Sequence, residues 1–148
     1  MNTRLRNILK QFDSKDTVDH ILDFLDKQEK ETKVNNEKEL SDLKNLYENG
    51  YFVYIKHESV FGKEVEFWKI NDIEFESKTV NWKNCYKIKN DIISINLYGI
   101  HIINNVERRF IKEEFNELQK ITEKEYNEIL EESKLICNNL KNIISKYN

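Results

Sequence analysis

An α+β fold is predicted by three features of the pattern of apolar residues. They recur at helical spacing through the first 49 residues, alternate with a period of two from 51 to 111, and return after 122 as one wide helical stripe. Helices, then strands, then a helix, without alternation of the two, call for an antiparallel sheet. The expected architecture is N-terminal helices, a central antiparallel β-meander of about six strands forming a curved sheet or partial barrel, and a long C-terminal amphipathic helix. At 148 residues the chain fits a single domain, 1–148, with a helical segment at 1–49, the meander at 51–111 and the last helix at 123–146.

Leu5, Ile8, Leu9 and Phe12 lie on one side of a short first helix, which Asp13 and Ser14 end and recap. A second helix is expected over about 15–33, with Val18, Ile21, Leu22 and Leu25 as its apolar stripe. Asn36, with Glu39 three residues on, then caps a third, whose buried side is Leu40, Leu43, Leu46 and Tyr47 and whose stop is Gly50.

From Tyr51 the alternation of Tyr51, Val53 and Ile55 with Phe52, Tyr54 and Lys56 marks a half-buried strand, followed by a turn at Gly62 and a second strand through Val65 and Phe67. Asn71-Asp72 and Asn90-Asp91 both stand between β-favouring runs. Because Asn and Asp tolerate positive φ, both pairs are expected in tight hairpin turns, as are Gly99 and Asn104-Asn105. Thr122 and Glu125 form a capping box for the last helix. Its stripe is Tyr126, Ile129, Leu130, Ile136, Cys137, Leu140, Ile143, Ile144 and Tyr147, interrupted by Ser133. Docking on the chain's own sheet or N-terminal helices is expected, giving a monomer; the alternative is a homodimer seam, since Ile129, Ile136 and Ile143 repeat every seven residues.

Composition limits the function classes. Twenty-four basic residues against 27 acidic give a net charge of -3, and 34% of the residues are charged with a mean hydropathy of -0.76. A polar exterior and no bulk attraction to nucleic acid or anionic membrane follow. No apolar run has signal or membrane length, which places the chain in the cytoplasm. The absence of Ala and Pro, with only three Gly, points to an AT-rich genome such as that of a bacterium, phage or plasmid. Cys85 and Cys137 match no metal or redox spacing and are read as reduced thiols. Nothing calls for a cofactor.

Few constellations carry chemistry. His20, His57 and His101 form no metal-ligand spacing, although antiparallel pairing could bring His57 and His101 together. Asp72, Glu76 and Lys78 superficially resemble the Asp...Glu-x-Lys pattern of restriction-endonuclease-like folds, over seven residues only and in a meander where those folds need βαβ order. Between Glu58 and Glu76 six acids face two lysines; from Lys78 to Asn90 there are four lysines and no acid. Adjacent strands of opposite charge pair across a sheet, which accounts for this layout without a ligand. The functional alternative is a single-stranded nucleic-acid surface in which Trp82 and Tyr86 stack bases while Lys83, Lys87 and Lys89 track phosphates. Finally, Asp16, Asp19, Asp23 and Asp26 line one side of the second helix, either as a solvated face or as a contact for basic residues of a protein partner. The expected function is a small non-enzymatic binding protein, a phage or mobile-element inhibitor or accessory protein that occludes a host macromolecule. The nucleic-acid module comes second; a small-ligand-binding barrel or a metal-dependent nuclease comes third.

Overall fold

The computed structural model describes residues 3–11, 15–59, 62–79 and 81–146, and divides into two compact units, Met1–Ser41 and Asp42–Asn148. In the first unit lie α1 (Thr3–Leu9) and most of α2 (Lys15–Tyr47). Asp13 and Ser14, the expected break between them, fall outside the described residues. Where two helices were expected, at 15–33 and 36–49, α2 runs unbroken for 33 residues. The reason is that an interior Asn costs a helix under about 0.7 kcal/mol, far less than Pro, and no Gly or Pro lies between Lys15 and Tyr47. Of the expected stripe Val18 and Leu22 are buried, whereas Ile21 and Leu25 are exposed.

The second unit is an open antiparallel sheet in the order β4-β3-β2-β1-β5, built from β1 (Tyr51–Ser59), β2 (Gly62–Lys78), β3 (Asn84–Asn96), β4 (Gly99–Ile111) and β5 (Gln119–Ile121). The described part of 51–111 holds four strands instead of about six because the Asn-Asp pairs do not turn the chain, and the fifth strand, β5, lies beyond the expected meander. Both lie inside long strands that pair with each other, Ile70 opposite Asn90 and Asp72 opposite Lys89, so that Asn71 is the extra residue of a β-bulge. Asn104-Asn105 likewise sits in a bulge within β4, where Asn105 takes φ 54° and its amide N–H donates to Asp91 Oδ1 at 3.0 Å. Tolerance of positive φ, the property behind the expected turns, is used in these bulges by Asn105 alone; Asn71 forms its bulge without it.

Asn49, at φ 60°, ends α2, and Gly50 then packs so closely that an added Cβ would fall 2.7 Å from the Phe52 ring. Asn49 N–H donates to the Ile70 carbonyl and Ile70 N–H to that of Gly50, joining the helix end to β2.

One sheet face carries Phe52 and Tyr54 of β1, Trp68 and Ile70 of β2, Tyr86, Ile88 and Ile92 of β3 and Phe110 of β4. Against it lie Tyr47 of α2 and Phe115 of a short 3-10 helix, Lys112–Glu117. Tyr54 and Phe110 stand on strands three spacings apart, about 14 Å in a flat sheet, yet their ring centroids are 5.6 Å apart. The sheet therefore curls around this face. On the opposite face packs α3 (Glu123–Ser145), capped by the Thr122 hydroxyl accepting from Glu125 N–H at 3.1 Å, as its capping box predicts. Tyr126 stacks on Tyr51, and its hydroxyl lies 3.5 Å from the Asp91 carbonyl; further along, Cys137 Sγ lies 3.8 Å from the Ile100 carbonyl. Ser133, expected as a gap in the stripe, is instead one of the two buried residues of α3, because its small side chain permits close approach.

Candidate functional site

Among the residues singled out by sequence, those of the aspartate row are drawn together. Asp19, Asp23 and Asp26 all take hydrogen bonds from the Arg6 guanidinium at 3.2–3.3 Å, and Lys10 Nζ lies 2.9 Å from Asp19. The side chain of Asp16 lies outside the described set. Lys10 first, and then Arg6, hold the Asp19 carboxyl below the ordinary carboxylate range. The row thus clasps α1 to α2 within the first unit, and much of its charge is met from inside the chain.

The lysine and aromatic residues separate. Tyr86 is fully buried, its ring against Phe75 and Phe115, so it offers no face to a base. Lys87 Nζ pairs with Glu74 at 3.5 Å and Lys89 sits opposite Asp72, the cross-strand pairing that the charge layout implies. Trp82 and Lys83 remain exposed in the turn between β2 and β3. Asp72 and Glu76 lie along β2 with Lys78, but Asp72 pairs with Lys44 at 3.3 Å and Glu76 with Arg109 at 2.8 Å. His101 is exposed opposite Ser94, and β1 and β4 are not neighbours, so strand pairing does not bring His57 beside it. Among the described residues no group of three or more His, Cys, Asp or Glu side chains is placed to hold a metal ion. Both cysteines are free thiols; burial, and then Glu76, pushes the Cys85 thiol up.

Sequence reasoning missed two arrangements. The first is polar and lies in the curl of the sheet. Glu66, 1% exposed, is held by Arg108 Nη2 at 2.8 Å and Lys56 Nζ at 3.2 Å, and Ser94 Oγ donates to Glu64 at 2.6 Å. Beside them Trp68 Nε1 and both ends of the Asn90 amide are buried without hydrogen bonds. Burial, and then the carboxylates of Glu117 and Glu114, pushes the Tyr54 hydroxyl up. The alternation of β2 puts Glu66 on the same face as Trp68, which is the signal that could have found it.

The second arrangement is apolar and open. The anchors of α3, at Asp91 and then at Ile100, show that it runs toward the turn between β3 and β4. Its distal half is left uncovered: Ile136, Leu140, Ile143 and Ile144 are exposed, and Leu97 and Tyr98 protrude from the turn, Leu97 at 83%. A groove of about 490 Å³ between β4 and α3 adjoins them, lined by Ile100, Ile102, Ile103 and Cys137 and equally by His101, Lys134, Asn138 and Lys141. In a chain of which 34% is charged, Leu97–Asn105 and Leu135–Leu140 contain no Asp, Glu, Lys or Arg. No helix is long and apolar enough to cross a membrane. No family model matches the chain, and neither a curated protein nor a solved structure matches it.

Proposed function

We propose that this chain is a small non-enzymatic binding protein that acts by covering part of a macromolecular partner, through the apolar end of its second unit. One observation carries the reading: Leu97, Tyr98, Ile136, Leu140 and Ile143 expose apolar surface beside the first half of edge strand β4, which has no charged residue before Glu107. Water-exposed apolar groups gathered at one end of a domain mark a contact surface, and Tyr is one of the residue types enriched at the energetic centre of such surfaces. Small size and AT-rich composition support an inhibitor or accessory protein of a phage or mobile element. The test is capture by the immobilised chain from lysate of an AT-rich bacterium, compared with the double variant Tyr98→Lys/Leu140→Lys. A protein retained by the parent and lost from the variant supports the reading. Equal retention by both, or none by either, refutes it.

Trp82 favours a second reading. It is 83% exposed beside Lys83 at a hairpin tip, and φ 61° holds it in a conformation that costs a bulky residue roughly 1–2 kcal/mol. Such an indole is suited to stacking on an unpaired base. Quenching of its fluorescence by single-stranded DNA or RNA at low salt, relieved by salt, would support this nucleic-acid module; unchanged emission counts against it.

A further inference from the structure

We infer that the occupant of the α3 part of this surface is a second copy of this chain, its α3 antiparallel to the first about a two-fold axis at Ile136. The inference rests on the protein-binding reading above and names the partner of that same surface.

Position on the helix comes first. The residues that face the sheet are Tyr126, Leu130, Ser133 and Cys137; at 100° per residue the row Ile129, Ile136 and Ile143 lies about 90° round from their centre. Ile129, at the start of this row, is half-buried, but Ile136 and Ile143 are left 43% and 51% exposed. A seven-residue repeat stays in one line along a helix pair, and an antiparallel mate centred on Ile136 sets Ile143 against Ile129 at both ends. Such an interface is self-complementary, as a two-fold requires.

Charge then selects the direction. From Glu123 to Ser133 there are five Glu and one Lys; from Lys134 to Lys146 there are three Lys and no acid. The helix dipole favours this sense, but its influence fades within the terminal turns, whereas Glu128, Glu131, Glu132 and Lys134 are in the middle of the helix. Glu128 is three or four residues from Glu125, Glu131 and Glu132, spacings at which like charges weaken a helix. A parallel mate would set glutamates beside glutamates. An antiparallel mate brings Lys146 of one copy to the level of Glu125 and Glu128 of the other, all three within about 80° of the isoleucine row, whereas Lys134 and Lys141 lie on the groove side of the helix and take no part.

Sedimentation velocity and light scattering on the full chain between 1 and 100 µM should give twice the 17.9 kDa monomer mass. Ile136→Glu should return it to the monomer with the strand and helix signals of circular dichroism retained. Ile136→Cys provides a readout that survives any loss of stability in that variant: mild oxidation should join the two copies at position 136, as peptide mapping would show, while Asn127→Cys on the far side of the helix should not link. A monomer at 100 µM overturns the inference, as does a dimer that Ile136→Glu leaves intact. If that monomer still captures a protein through Tyr98 and Leu140, only the pairing has failed; if it captures nothing, the binding reading has failed with it.

Discussion

The guanidinium of Arg108 on β4 reaches over β3 to hold the carboxylate of Glu66 on β2 at 2.8 Å. Two strands that share no backbone hydrogen bond are thus tied across the curl of the sheet. Glu66 is 1% exposed, whereas Arg108 and Lys56 keep about a third of their side chains in solvent, so the three groups are unequal. Removing Arg108 leaves the buried anion with Lys56 alone, while removing the anion leaves two cations that can turn to water. Arg108→Met should lower stability by about 3 kcal/mol. The double variant Glu66→Leu/Arg108→Met should lose less than Arg108→Met alone, as urea unfolding would measure. A loss in the double variant equal to the sum of the losses in Glu66→Leu and Arg108→Met would mean that the pair carries no coupling.

Asn90 presents the opposite case. Its side chain is fully buried between β2 and β4 neighbours, with neither its carbonyl oxygen nor its amide nitrogen hydrogen-bonded. An unpaired buried amide costs about 1–3 kcal/mol, and Leu has a similar volume with no polar atom to strand. Asn90→Leu should raise the urea midpoint without changing the slope; a lower midpoint would show that the amide has a buried partner, such as a water.

The α+β class, the antiparallel strands and the capped last helix were legible because each rests on a period or a cap that acts locally. What was not legible depends on neighbours. Asn71 and Asn90 carry the same propensity in a turn as in a bulge, and only the pairing of β2 with β3 decides between them. Asn36 could cap a helix or continue one, and the chain continues. Tyr86 reads as a candidate stacking ring among lysines, yet strand alternation turns it to the face it shares with Ile88. The aspartate row was visible, but its partner Arg6 was not, since their meeting depends on how α1 lies against α2. The open apolar end depends on where the sheet stops beneath α3, a length that no residue in the helix encodes.

Tyr126 supplies a test by pH. Burial, and then the negative charge of Asp91, pushes its hydroxyl up to about 12, so the folded chain keeps it neutral after an unfolded tyrosine, near 10, has ionised. The unfolded state then binds fewer protons, and stability must fall as pH rises. This contribution is intact below pH 10 and is lost between about 10 and 12. Burial also raises Tyr51 and Tyr54, so an ultraviolet titration should show several tyrosines ionising late, and Tyr126→Phe should remove one of them and make the alkaline decline less steep. A decline as steep in Tyr126→Phe would assign it to another group.

The clasp in the first unit titrates in the other direction. Asp19 is held below its ordinary value by Lys10 and Arg6, so its contribution is present above the unfolded carboxylate value and is lost as pH falls through the lower folded one. Arg6→Gln should raise the Asp19 midpoint in an NMR titration and reduce helical signal at neutral pH. The parent should approach that reduced signal as acid protonates Asp19. High salt should narrow the difference between parent and variant, because these groups are exposed to screening. A midpoint that does not move in Arg6→Gln would show that Lys10 alone sets it.

Trp82 separates stability from use. Its φ of 61° suits Gly, and its side chain is 83% in solvent, so the indole gains little burial in return for the strain. Trp82→Gly relieves the strain, worth roughly 1–2 kcal/mol, against a loss of about half that from the greater backbone freedom of Gly in the unfolded chain. The net expectation is a thermal midpoint equal to or slightly above that of the parent. Trp82→Ala keeps the strain without the ring and should be less stable than Trp82→Gly. The ordering Gly above Ala, measured by thermal unfolding, is the decisive result: it would show a large exposed aromatic ring kept at a strained position that stability alone would give to glycine. If Ala equals or exceeds Gly, the backbone at 82 relaxes out of positive φ, and no strain is stored at this tip.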